Sequence, residues 1–519
     1  ERGGECTTAP EPAADMLGAV SDSAPTGESS AGSAKPPEKQ SDKQPELHDD
    51  LVTTRHTVAT TDGDLAYTAV TGRVVLREEV HTDGTFDGVR ARAELFLTAY
   101  TLDGADPATR PITFAFNGGP GSSSAWLHLG LLGPRRIVMG DAGDLLPPPY
   151  GLTDNAETLL RQSDLVFIDP VSTGYSRVAE GGKSAEFHGF TRDVESVGEL
   201  IRLWTSRTGR WLSPKYLAGE SYGTLRAAAL AGHLQQRHGL FLNGIMLISS
   251  VLDLGSIDFT EGNDTPYAMY LPTYTSIAAH HGLLGDRPVA ELRAAAEELA
   301  ARDYPAALAQ GSRLPADDRA SLVARLAELT GLSAEFIDLA DLRVEHIRFF
   351  RELLRTRRLT VGRLDGRFTG PMVEENLEGG LWWDPSMAAI TGPYTAGLNH
   401  WVRAGLGYTS DLPYEVLSDR VQPWSYAEFE GRGVSVTGTL SAAMRANPHL
   451  RVYVAFGYTD GATPYFAAEQ VLAQLRIPES LRANITREYF EAGHMMYVHE
   501  PSRLRQSAAL AAFVSPPAA

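Results

Sequence analysis

The sequence holds 519 residues, 43% hydrophobic, 8% aromatic and 21% charged, with a formal net charge of −19. This composition excludes wholesale disorder, collagen-like repeats and a disulfide scaffold, and the length suits several small domains or one large α/β domain with an insertion. The acidic balance argues against a nucleic acid partner, and no run of 18 apolar residues is present to span a membrane. The single cysteine, Cys6, permits no intramolecular disulfide and no cysteine-based zinc site. Only Lys35, Lys39, Lys43, Lys183 and Lys215 are lysines, an arginine-dominated usage like that of GC-rich bacterial genomes.

Residues 1–50 contain six prolines and no aromatic residue, and carry a net charge of −7. Such a stretch buries too little apolar surface to offset its ordering entropy, so a disordered acidic tail is expected. It lacks a basic start followed by an apolar stretch, so no intact signal peptide is expected. Localisation stays open. Absent disulfides lean cytoplasmic, and an exported enzyme with its leader removed would look the same.

From residue 51 the pattern turns β-rich. His56–Thr60, Leu65–Thr71, Val74–Val80 and Ala93–Thr101 read as antiparallel strands, with turns at Asp62-Gly63 and Asp83-Gly84. Four short apolar runs follow: Ile112–Phe116, Asp164–Ile168, Lys215–Ala218 and Gly244–Ser249. Runs of this kind suit parallel strands covered on both faces. Helical stretches at Phe187–Thr205 and Leu225–His238 separate them, which implies an α/β sheet. Two further strand-like runs, Val452–Phe456 and Ile485–Phe490, come late. Between about 255 and 435 the strand rhythm stops, and Glu291–Arg302, Ala316–Thr330 and Glu335–Thr356 read as helices. The expected organisation is a first core segment over 51–254, a helical cap insertion over 255–435 and a second core segment over 436–519. The cap is expected over the carboxyl ends of the strands, where open α/β sheets bind ligands.

Gly219-Glu220-Ser221-Tyr222-Gly223 is the only G-x-S-x-G in the chain. It follows an apolar strand and precedes an alanine-rich helix, the context of a nucleophile elbow. The bland alternative is a glycine-rich turn with an incidental serine. A second glycine-rich turn, Asn117-Gly118-Gly119-Pro120-Gly121, also follows a strand and can bring backbone N–H groups close to a reacting oxygen. A phosphate loop would need a Gly-Lys-Ser/Thr ending, which is absent. On this fold the triad runs Ser, then acid, then His, on loops after late strands. Asp460 follows Val452–Phe456, and His494 follows Ile485–Phe490. His499 ranks second as base. His128, His188, His280 and His281 read as structural or exposed.

Asn117 to Gly121, Asp169 to Ser176, Gly219 to Gly223, the Asp460 loop and Ala492-Gly493-His494-Met495 together resemble the serine carboxypeptidases of peptidase family S10. The resemblance implies an α/β-hydrolase fold with an inserted, mainly helical cap. It implies Ser221, Asp460 and His494 as the triad, and backbone N–H groups of Gly119 and Tyr222 as the oxyanion hole. It also implies a clamp for the substrate's C-terminal carboxylate at Asn117, Gly118 and Glu220. The sequence departs from the family at Ala115, at Ser122 and at Leu131. Leu131 stands where the family carries a glutamate paired with the one beside the nucleophile. The expected function is therefore a serine-type carboxypeptidase that removes C-terminal residues from peptides through an acyl-enzyme. The alternative is an esterase or acyltransferase on the same machinery, and a binding module without catalysis is a third reading that an intact triad argues against. Covalent catalysis by serine and histidine needs no metal or organic cofactor. The expected partners are peptides with a free C-terminus; oligomeric state is not encoded legibly.

Overall fold

The central strands carry apolar side chains on both faces, and this sets the layering. In Ile112–Phe116, Phe114 and Phe116 pack to one side of the sheet and Ala115 to the other. Leu217 opposes Tyr216 and Ala218 in the same way, and Ile245 and Leu247 oppose Met246 and Ile248. The fold is a computed structural model, in which residues 46–372 and 383–515 are described.

The strands of the main sheet are β1 (Asp50–Thr60), β2 (Gly63–Thr82), β3 (Thr85–Leu102), β4 (Ile112–Phe116), β5 (Asp164–Ile168), β6 (Lys215–Glu220), β7 (Gly244–Ile248), β8 (Arg451–Gly457) and β9 (Ile485–Phe490). Their spatial order is β1-β2-β3-β5-β4-β6-β7-β8-β9, with a short strand at Arg177–Val178 beside β3. The first three strands and the β3–β5 pair are antiparallel, and the remaining pairs are parallel. This mixed, mostly parallel sheet flanked by helices is the α/β-hydrolase architecture. Helices Phe190–Arg207 and Tyr222–His238 cover one face, and Pro385–His400 and Glu500–Val514 cover the other.

Where the sequence reading placed two strands at Leu65–Thr71 and Val74–Val80, β2 runs through as one. Gly72 makes this possible. It has φ +142°, and a Cβ there would lie 1.9 Å from the Asp50 carbonyl oxygen. The helix expected over Glu335–Thr356 is split into Ala334–Leu339 and His346–Glu352. Asp341 (φ 50°) and Leu342 (φ 63°) between them adopt left-handed backbone, which no α-helix tolerates. The expected tail is also too long at its end. β1 starts at Asp50, the Val75 N–H donates to Asp49 Oδ1 at 2.9 Å, and Asp49 pairs with Arg207 at 2.6 Å. Most of that tail, Cys6 included, lies outside the described residues.

The segment between β7 and β8 is mainly helical, and its helices include Leu271–His280, Val289–Ala301 and Ala316–Thr330. Its early helices share a hydrophobic cluster with the sheet, and residues 47–519 form one compact unit. The segment also carries a two-stranded ribbon, Leu359–Val361 against Thr369–Pro371. The connection of this ribbon reaches the loops that follow β8 and β9. No helix among the described residues is long and apolar enough to cross a membrane.

Candidate active site

Ser221 is the single residue between β6 and the helix Tyr222–His238. Its backbone has φ 60° and ψ −130°, a conformation costly for a residue with a side chain. The turn is held by the Ser221 N–H, which donates to the Ile248 carbonyl at 3.0 Å. Glycine is forced on its near side, since a Cβ at Gly219 would lie 2.1 Å from the Gly223 carbonyl oxygen.

Asp460 lies just past β8, fully buried behind His494. Its Oδ1 accepts the Ala462 and Thr463 N–H groups at 2.8 and 2.9 Å. Its Oδ2 accepts the Thr463 hydroxyl at 2.7 Å and lies 2.8 Å from His494 Nδ1. That pairing turns His494 Nε2 toward the cavity. Burial opposes a charge on His494, but the Asp460 carboxylate and then Glu220 outweigh it and hold His494 above the ordinary histidine range.

The ribbon connection ties both loops. The Gly461 N–H donates to the Arg363 carbonyl at 2.9 Å, the Gly366 N–H to Thr459 at 2.9 Å and the His494 N–H to Leu364 at 2.6 Å. The Thr459 hydroxyl donates to Asp365 Oδ1 at 2.9 Å.

On the other side, Asn117 follows directly on the end of strand β4 at Phe116. A Cβ on Gly118 would lie 2.5 Å from the Tyr222 nitrogen, so this glycine lets the two turns meet. The N–H of Tyr222, first in its helix, has no carbonyl a turn earlier to satisfy it. The Gly119 N–H donates to no backbone carbonyl among the described residues. Asn117 Nδ2 donates to Glu220 Oε1 at 2.8 Å, and the Tyr497 hydroxyl donates to Glu220 Oε2 at 2.7 Å. Burial pushes Glu220 up to about 7. The charge of His494 and the two hydrogen bonds pull the other way.

Asn117, Gly118, Gly119, Glu220, Ser221 and His494 line one cavity of about 230 Å³. The insertion supplies Arg363, Leu364, Met387 and Ile390 to its wall. A larger depression of about 1050 Å³ lies beside the β2–β3 hairpin. Its Arg92, Arg192 and Arg202 are paired with Glu78, Glu195 and Glu199, and its Ser196 hydroxyl donates to the Asp193 carbonyl rather than to a histidine.

Three arginines stand near these turns in the sequence and could hold a carboxylate: Arg135, Arg136 and Arg226. Arg226 is fully buried, bonded to Asp193 at 2.7 Å and to the Asn117 carbonyl at 2.6 Å, so it braces the two turns instead. Arg135 pairs with Asp154, and Arg136 lies 3.6 Å from Glu500. His499 bonds Ser502 through Nδ1 and does not line the cavity. Sequence reasoning missed Tyr497, Thr463 and Arg363. Tyr497 sits three positions after His494, and the 3₁₀ turn Met496–Val498 carries its ring back over Glu220.

Among solved structures, the fold is similar to Kex1Δp, a prohormone-processing carboxypeptidase from Saccharomyces cerevisiae. The identity is 14% and the TM-score 0.54, over 86% of this chain and 91% of that one. A proline iminopeptidase from Mycobacterium smegmatis is similar at 15% identity and TM-score 0.33, over 85% and 97% of the two chains. The family model described as serine carboxypeptidase matches residues 86–304, which include the Asn117 turn and the Ser221 elbow. Over that stretch the chain is similar to the serine carboxypeptidases of peptidase family S10.

Proposed function

We propose that the protein hydrolyses the C-terminal peptide bond of peptides, with Ser221, His494 and Asp460 as its triad. The observation that carries this reading is the presence, in one cavity, of the Ser221 elbow, the Asp460-bound His494 and the buried carboxyl of Glu220. Ser221 Oγ attacks the scissile carbonyl carbon while His494 Nε2 takes its proton, and Asp460 stabilises the imidazolium. The N–H groups of Gly119 and Tyr222 receive the developing oxyanion. His494 then protonates the leaving amine, and water, activated by the same imidazole, releases the acyl group from Ser221. Asn117, the Gly118 backbone and Glu220 hold the substrate's terminal carboxylate. A protonated Glu220 donates a hydrogen bond to that anion, which an ionised one would repel.

Mass spectrometry of matched peptides bearing a free or an amidated C-terminus tests the reading. Stepwise loss of single residues from the free acid, with the amide strongly disfavoured, is expected. Equal cleavage of both, or cleavage of esters alone, would defeat it.

A further inference from the structure

We propose that Arg363 determines specificity by binding a carboxylate on a substrate side chain beside the scissile bond, so that acidic residues are the favoured class. This rests on the carboxypeptidase reading above and names the substrate class of the same site.

Arg363 sits in the connection of the small ribbon, with its backbone fixed on both sides. Its N–H donates to Asp384 Oδ1 at 3.1 Å, and its carbonyl accepts the Gly461 N–H at 2.9 Å. The base of the side chain is thereby held next to the loop that carries Asp460. Of the residues lining the cavity, Arg363 alone carries a fixed positive charge. The other buried arginines around the site are committed: Arg226 to Asp193, Arg367 to Asp365, Arg293 to Glu491. Arg363 has no carboxylate within ion-pair distance and no side-chain hydrogen bond among the described residues, although it is half-buried. Asp384 is taken up by the N–H groups of Arg363, Leu364 and Ser386 and by the Ser386 hydroxyl, and Asp365, two residues along the chain, is paired with Arg367 and accepts the Thr459 hydroxyl.

A guanidinium that lines the cavity with no counter-ion among the described residues is open to an anion, and a bidentate carboxylate is the group whose geometry matches it best. Its neighbours in the wall, Leu364, Met387 and Ile390, are apolar and offer no substitute. The terminal carboxylate of the substrate already has a receptor of a different kind, built from Asn117 and a Glu220 whose own oxygens are held by Asn117 and Tyr497. A second anion on the substrate is what remains for Arg363. The charge of Arg363 is also felt at His494, where it opposes protonation, so a purely tuning role is the rival to separate.

The test compares free-acid peptides that differ only by Glu against Gln, placed on either side of the scissile bond. Wild type, Arg363→Gln and Arg363→Lys are assayed, and the readout is the Glu/Gln ratio of kcat/KM. One charge-assisted contact predicts a wild-type ratio of about ten to a hundred at one of the two positions. The ratio should fall to near one in Arg363→Gln and stay partly above one in Arg363→Lys. A wild-type ratio near one at both positions overturns the proposal, even if Arg363→Gln fails to fold. So does an equal loss on Glu and Gln peptides, which would make Arg363 part of the terminal-carboxylate clamp. A displaced pH–rate profile with an unaltered ratio would reduce it to tuning His494. If no peptide is cleaved while matched esters are, the carboxypeptidase reading fails separately, and the same ratio on Glu and Gln esters still decides the role of Arg363.

Discussion

Glu220 is a carboxyl group kept from ionising by its surroundings until about pH 7. In the proposed function its protonated form binds the substrate carboxylate, so KM for free-acid peptides should rise as pH climbs through that value, while KM for an uncharged ester stays level. Glu220→Gln should flatten the peptide profile. Tyr497 donates to the charged form of Glu220, so Tyr497→Phe should move the rise in KM to higher pH. The same shift has a thermodynamic sign. A carboxyl whose folded value lies above its unfolded one contributes stability below the unfolded value, and this is lost as pH rises through the folded value. Glu220→Gln should therefore gain on wild type in urea titrations at pH 8, with the gain shrinking at pH 5. A constant difference across that range would contradict the assignment. At Ser221 the conflict is between chemistry and backbone. Ser221→Ala should lower kcat by roughly three to six orders of magnitude with the fold intact. Ser221→Gly should be as inactive yet more stable than Ser221→Ala by about 1 kcal/mol, because φ 60° suits glycine.

At the scale of elements, the Asp460 and His494 loops are positioned by a segment that belongs to neither. Asp365 bonds the Thr459 hydroxyl and pairs with Arg367, both within the buried ribbon connection. Asp365→Ala should cost about 3–5 kcal/mol, because it leaves the buried Arg367 with only Asp141 for a carboxylate. It should also lower kcat about tenfold with little change in KM, since it loosens the Asp460 and His494 loops rather than the binding wall. Thermal melts and steady-state kinetics on this variant separate the two effects. This brace was not legible in the sequence. Strands β4, β5 and β7 were, because a short apolar run bounded by turns needs only local information. The tie between Leu364 and His494 depends on tertiary contact across a long stretch of chain. So does the hydrogen bond from Tyr497 to Glu220. The false continuity of Glu335–Thr356 has a different cause: composition there favours helix throughout, and only the left-handed pair at Asp341 and Leu342 ends it.

For the whole molecule, the sheet was readable, as were the strand-end loops whose Ser221, Asp460 and His494 the structure brings together, whereas the rest of the cavity wall was not. Asn117, Glu220, Ser221, Asp460 and His494 sit at strand ends, where motif and context coincide. Arg363 sits in an insertion without repeat or motif. The body also reaches further toward the N-terminus than composition suggested. Removal of residues 1–45 should leave the thermal midpoint nearly unchanged, while removal through Asp50 should cost about 1–2 kcal/mol by losing the Asp49 contacts to Val75 and Arg207. Equal midpoints for the two truncations would show that these contacts contribute nothing.

Strand β7 meets β8 in parallel register, Gly244 against Arg451, across the whole insertion. Closing such a loop of roughly two hundred residues costs only about 2 kcal/mol more than closing one a tenth as long, because the penalty grows with the logarithm of length. The sheet therefore constrains the length of the intervening chain very weakly, and lineages can exchange or resize it while the hydrolytic frame stands. What they cannot discard is the short stretch from Arg363 to Gly366, whose backbone clasps the acid and base loops. The rest of the insertion can be rebuilt around that clasp, and a chimera that replaces it but keeps the clasp should retain turnover together with the preference that Arg363 sets.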